Sequence, residues 1–219
     1  MKKAIYSIIA TITTVFLLLS MLGGCDNQKK DTDTVESAGS IETGRQDGER
    51  FEDVIMMEGM EETVKYEHIR NDSVGIEMDY DYERFERHSE SDRECFISLY
   101  DDPENPQIYL EVTTSADDAD TVAASVGKAL FSASYDIIKE SITLDRAGDC
   151  ILIDASNAKG NKGTPDLLQT VYIIPAADGC RIATAHYTFE SAEGFGRRFN
   201  YIMNTLVVID SHSVSSGEN

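Results

Sequence analysis

Cys150-Ile-Leu-Ile-Asp-Ala155, Leu168-Gln-Thr-Val-Tyr-Ile-Ile174 and Cys180-Arg-Ile-Ala-Thr-Ala-His-Tyr-Thr-Phe189 are three short runs rich in β-branched and aromatic residues. Each is too short for a core helix, and each is bounded by turn chemistry, which reads as a strand. Pro175 to Gly179 is a turn, and Ser156 to Asp166, with Gly160, Gly163 and Pro165, is a loop. Short connections predict an antiparallel meander of the three.

The pattern extends in both directions. Upstream, Ile138, Ile142 and Leu144 suggest a strand that turns at Arg146 to Asp149. Before it, Ala119, Val122, Ala123, Val126 and Leu130 fall on one helical face, with Ser115 and Asp118 at capping-box spacing. Strands are expected at Thr63–Ile69, Val74–Met78, Cys95–Tyr100 and Ile108–Val112, with Asp81 capping a short helix through Phe85. Downstream, Ser191 is a suitable N-cap for a helix over Ala192–Asn204, whose apolar stripe is Phe195, Phe199, Ile202, Met203 and Leu206. Leu206 to Ile209 suggests a closing strand. Strands, helix, strands, helix, without regular βαβ alternation, give an α+β fold: an antiparallel β-sheet flanked by helices.

The start of the chain has a different character. Lys2 and Lys3 precede an uncharged apolar stretch from Ala4 to Met21, then Gly23, Gly24 and Cys25. That is the pattern of an export signal. Leu22-Gly23-Gly24-Cys25 looks like a bacterial lipobox, so residues 1–24 are expected to be a signal peptide and Cys25 the lipidation site. Asp26, rather than a basic stop-transfer residue, comes next. Residues 25–50 are polar and carry few aliphatics, too few to offset ordering entropy, and read as a disordered tether. Its mean reach is about 25–30 Å. The folded domain is placed at 51–210 and a polar tail at 211–219. The chain is therefore expected on the outer face of the cytoplasmic membrane, held through its lipid.

Forty acidic residues against 19 basic ones give a net charge of −21. Nucleic acid is excluded as an expected partner, since that affinity rests on Lys and Arg neutralising phosphates. Besides Cys25 there are Cys95, Cys150 and Cys180, an odd number without CxxC spacing. In the meander, Cys150 and Cys180 are separated by a strand, roughly 9.5 Å, beyond the ~7 Å a disulfide tolerates. Buried, unpaired thiols are expected.

Three stretches taken together carry a family resemblance: the lipobox, the run Gly75-Ile-Glu-Met-Asp-Tyr-Asp-Tyr-Glu-Arg-Phe85, and Tyr187-Thr-Phe-Glu-Ser-Ala-Glu-Gly-Phe-Gly-Arg-Arg198 leading into the last helix. They resemble surface lipoproteins of Gram-positive bacteria with a PsbP-like (PsbP/LpqN-type) domain. The resemblance covers about residues 55–210. It implies a PsbP-like α/β/α sandwich with a seven- or eight-stranded antiparallel sheet between helices. It implies binding or accessory roles and no reaction.

Four histidines, His68, His88, His186 and His212, lack metal-ligand spacing and are read as structural. Asp79-Tyr80-Asp81 and Asp101-Asp102 do not match an EF-hand and are read as caps and turns. Gly160 to Thr164 links strands and lacks phosphate-loop spacing. Neither a metal nor a cofactor is expected, and no catalytic set is assigned. One cluster suggests a ligand patch: Glu190, Glu193 and Arg197, beside Arg198. Glu193 and Arg197 are four apart and can pair on a helix. Tyr187, Phe189 and Phe195 would rim the patch. The functional reading is a membrane-anchored, non-enzymatic binding or accessory module for a protein or small molecule. The alternatives are an enzyme with an unrecognised pocket and an envelope assembly or client-holding factor.

Overall fold

The structure is a computed structural model, and it describes residues 44–57, 59–102, 104–157 and 166–209. All of them belong to the compact unit Gly44–Asn219. The signal peptide, Cys25, most of the tether, the Gly160–Thr164 loop, His212 and the 211–219 tail lie outside the described residues.

Eleven strands and two helices make up the described chain. The strands are β1 (Arg50–Met57), β2 (Met60–Asn71), β3 (Ile76–Asp81), β4 (Phe85–Ser89), β5 (Arg93–Ser98) and β6 (Tyr109–Ser115). After helix α1 (Ala119–Ser132) come β7 (Asp136–Leu144), β8 (Gly148–Ser156), β9 (Leu167–Ala176) and β10 (Gly179–Thr188). Helix α2 (Arg197–Thr205) and β11 (Val207–Val208) close the chain. All pairings are antiparallel. They form a four-stranded sheet ordered β1-β2-β3-β11 and a seven-stranded sheet ordered β4-β5-β6-β10-β9-β8-β7.

The expected α+β sandwich of one sheet between helices is therefore corrected to a β-rich fold of two antiparallel sheets with two short helices. Strands β8, β9 and β10 of the large sheet carry buried apolar side chains on both faces, as their apolar runs indicate, but different things cover the two faces. Cys150, Tyr172, Ile174, Ala183 and Ala185 pack into the main core with Ile69, Ile76 and Met78 of the small sheet and with Phe199, Ile202 and Met203 of α2. Val171, Ile173, Ile153 and Cys180 face the other way, onto Val122, Ala123 and Leu130 of α1. An apolar strand face has the same pattern whether a helix or a second sheet lies on it, so the sequence pattern could not separate the two arrangements.

The meander β8-β9-β10 and the β5–β6 hairpin form as the sequence indicates. Asp118 caps α1 by accepting the Thr121 amide at 2.9 Å. The three thiols are free. Cys150 lies in the core between the sheets and Cys180 in the core under α1, so opposite faces separate them as well as an intervening strand.

Two local expectations change. Asp81 does not start a helix: its carbonyl accepts the Arg84 amide at 3.1 Å in a turn, and β4 begins at Phe85. This turn carries the chain from one sheet into the other, and Phe85, 1% exposed, anchors it in the core. The last helix is also shorter. A 3₁₀ turn at Phe189–Ser191 and a π-helical turn at Ala192–Gly196 precede α2. Thr188, not Ser191, supplies the cap, in a reciprocal capping box with Ser191. Gly196 lies so close to Tyr187 that a Cβ there would stand 3.3 Å from its ring.

Residues 44–50, polar enough to read as tether, run against β2. Gly48 N donates to His68 O and His68 N to Glu49 O, both at 2.8 Å. Arg45 stacks over the Phe51 ring at 3.6 Å.

Candidate functional site

Helix α1 covers only part of the large sheet's outer face, packing on β7, β8 and β9. Beyond it, β5, β6 and β10 present half-buried side chains: Cys95, Ile97, Tyr109, Glu111, Thr184 and His186. Strand register sets Ile97 opposite Tyr109, Tyr109 opposite His186, and His186 opposite Gln169. These four form one transverse row. Tyr109 and His186 stack with ring centroids 4.2 Å apart and planes at 15°. Gln169 ends the row by donating to the Tyr135 hydroxyl at 3.3 Å.

A cavity of about 270 Å³ opens at this row. Its walls are Tyr109, His186 and Tyr187 from the sheet, Leu167 and Leu168 from the start of β9, and Asn105, Pro106 and Gln107 from the β5–β6 connection. That connection is fixed by Asp101, whose carboxylate accepts the Gln107 amide at 2.5 Å and the Ile108 amide at 2.6 Å. Aspartate in a turn thus shapes one wall.

The polar groups of this cavity are uncommitted. Among the described residues, the side chains of Asn105, Gln107, Tyr109 and His186 have no hydrogen-bond partner. Burial pushes the His186 imidazole down to about 4, so the ring is neutral near pH 7. Burial likewise raises the Tyr109 phenol. Tyr187 differs: its hydroxyl is held by Thr170 at 2.8 Å, and Thr170 donates to Asp154 at 2.8 Å.

The buried charges elsewhere are satisfied by partners. His68 Nδ1 meets Asp79 at 2.7 Å, with Arg45 3.5 Å from the same carboxylate. Glu94, fully buried, accepts from Arg87 at 2.7 Å, Asn71 at 2.8 Å and Ser89 at 2.9 Å. Arg181, 2% exposed, binds both oxygens of Asp178 at 2.8 and 3.1 Å. Arg198 donates to Asp81 at 3.1 Å and to both Glu62 oxygens at 2.5 and 2.7 Å. Burial dominates at Asp81 and pushes its carboxyl up, whereas the hydrogen bond from Arg198 holds the more exposed Glu62 down. Such pairs hold sheets together and leave little free chemistry.

The ligand-patch residues expected from sequence, Glu190, Glu193 and Arg197, do not line this cavity. Glu190, Glu193 and Arg197 are all exposed, and among the described residues no ion pair joins Glu193 to Arg197. Glu193 sits in the π turn and Arg197 begins α2, so the expected helical spacing is lost. Arg198 instead turns inward. Phe195 packs edge-on against Phe85 at 5.7 Å, while Phe189 is exposed. Only Tyr187 of that group reaches the cavity. His88 is exposed on β4. Among the described residues no cluster of three or more His, Cys, Asp or Glu is arranged to hold a metal.

The cavity residues are drawn from segments about 80 positions apart, joined by the β6–β10 pairing. The signal in sequence was limited to the Asp101–Pro106 turn and the histidine in a strand.

No family model and no curated protein matches this chain. Among solved structures, a crystal structure from Bacteroides thetaiotaomicron VPI-5482 is similar at 10% identity and a TM-score of 0.40. The match covers 62% of this chain and 46% of that one, so this chain spans less than half of its length. None of these comparisons connects the chain to the PsbP-like family. Among the described residues no helix is long and apolar enough to cross a membrane.

Proposed function

We propose that the protein is an extracytoplasmic binding or accessory module, lipid-anchored at Cys25 to the outer face of the cytoplasmic membrane, that engages its ligand at the Tyr109–His186 cavity. The anchoring half of this reading rests on the Leu22–Cys25 lipobox and the export signal before it. Stable anchoring through lipid requires two or more acyl chains. The binding half rests on one observation: four polar side chains without protein partners converge on one cavity, while buried charges elsewhere are paired. A concave site with mainly apolar walls and a few uncommitted polar groups is the usual form of a ligand site. A catalytic reading would need a nucleophile or acid–base pair at the cavity. His186 is the titratable group best placed there, and its neighbour in the stack is a phenol.

The test is crosslinking and pull-down from intact cells, comparing the native chain with a Tyr109→Ala, His186→Ala variant and with Cys25→Ala. The native chain is expected in the membrane fraction with a captured ligand or partner that the cavity variant loses. Membrane retention of Cys25→Ala would remove the anchoring claim. Equal capture by native and cavity variant would remove the site.

A further inference from the structure

The cavity beside Tyr109 and His186 is lined without a formal charge, and this restricts what it accepts. Its eight lining residues include no Asp, Glu, Lys or Arg. His186, the one titratable base among them, is held neutral by burial. A charged ligand entering here would shed water without gaining a counter-charge, which is unfavourable. The chain's net charge of −21 adds long-range repulsion for anions.

The polar lining has a second property. A carboxamide, a phenol and a neutral imidazole each offer both a donor and an acceptor. Asn105, Gln107, Tyr109 and His186 therefore present four dual-character groups, none of them used by the protein. Hydroxyl groups have the same dual character, so a polyhydroxyl compound satisfies such a lining group for group. Unmatched, these groups would lose their water without replacement on ligand entry. The remaining walls include Pro106, Leu167 and Leu168, which are apolar. The occupant thus needs a weakly polar face as well as hydroxyl edges. At about 270 Å³ the cavity lies just below the usual range of ligand sites, roughly 300–1,000 Å³, which suits a single small ring.

From these features we infer that the cavity is a subsite for one ring of an uncharged saccharide. The inference rests on the binding-module reading above and names the ligand class of that same site. Pyranose rings have the required combination: hydroxyls around the edge and C–H groups on the faces. Amide-bearing neutral sugars fit equally, because an acetamido group also presents a donor and an acceptor.

The experiment is isothermal titration of the full-length chain with N-acetylglucosamine, then with glucosamine as the cationic analogue and glucuronate as the anionic one. Saturable binding of N-acetylglucosamine is expected, at least tenfold tighter than either charged analogue. Gln107→Ala should weaken it at least threefold and His186→Gln at least threefold. Asp101 holds Gln107 through its backbone amide, and the Gln107 side chain makes no hydrogen bond among the described residues, so its variant keeps the connection in place even if changes at His186 disturb the sheet. Binding of glucuronate or glucosamine as tightly as the neutral sugar would overturn the inference. Nicotinamide, uncharged and aromatic, serves as the second probe. If it binds with the same variant sensitivity and the sugars do not, the saccharide class falls and the cavity stands. If neither binds, both the ligand class and the site fall.

Discussion

Arg197 points to solvent, whereas Arg198 is 7% exposed and bridges Asp81 of β3 and Glu62 of β2. Removing one partner of a buried ion pair leaves the other charge stranded, which typically costs 3–5 kcal/mol. Arg198→Met is expected to destabilise the protein by about 3 kcal/mol in urea denaturation, and Arg197→Ala by no more than about 0.5 kcal/mol. Equal effects would mean that the inward arginine is misassigned. His186 gives a pH signature. Its folded value, about 4, lies below the ordinary 6.5, so the unfolded chain binds the extra proton first. The stabilising contribution is present above about pH 6.5 and is lost progressively as pH falls through 4, amounting to about 3 kcal/mol. Denaturation of the native chain and of His186→Gln at pH 7 and pH 4 measures it: the native chain should lose more stability on acidification than the variant. At this scale the sequence was partly legible. It marked Glu193, Arg197 and Arg198 as a charged cluster, but which arginine turned inward depended on the π turn that precedes α2, and no local propensity announces that turn.

Strand identity was the most legible level. The meander β8-β9-β10, the β5–β6 hairpin and the cap of α1 all follow from alternation, turn residues and Asp118. The cysteines test this level directly. With Cys150 and Cys180 on opposite faces of the sheet, no disulfide can join them while the sheet is intact. Burial raises the Cys95 and Cys150 thiols, each to about 11, which leaves little reactive thiolate at neutral pH. Iodoacetamide at pH 8 should therefore label Cys95, Cys150 and Cys180 slowly in the folded chain and fully once it is unfolded without reductant. A disulfide recovered between Cys150 and Cys180 would contradict the register of β8 and β10. What the sequence could not supply was how the hairpin and the meander join. After β6, α1 carries the chain across to the far edge, and β7 to β10 return strand by strand until β10 pairs with β6. Periodicity records which face of a strand is buried, and the crossover leaves that pattern unchanged.

For the whole molecule, the two sheets enclose one core, and paired charges such as Glu94 with Arg87 and Arg198 with Glu62 and Asp81 are spent on holding the elements in place. Among the described residues, the cavity at the open part of the large sheet's outer face gathers polar side chains without hydrogen-bond partners. Sequence reading placed the ligand patch on the last helix because charge and aromatic residues cluster there along the chain. The structure gathers its uncommitted groups elsewhere, from Asn105 to Tyr109 and from Leu167 to Tyr187, through pairing between strands distant in sequence. The central claim, that this cavity is the binding site, is tested most directly by mapping amide chemical-shift changes during titration with N-acetylglucosamine. Saturable shifts clustered at Gln107, Tyr109, Leu168 and His186, with Glu190, Glu193 and Arg197 unmoved, are the expected result. Shifts centred on the last helix, or none at any concentration, would contradict it.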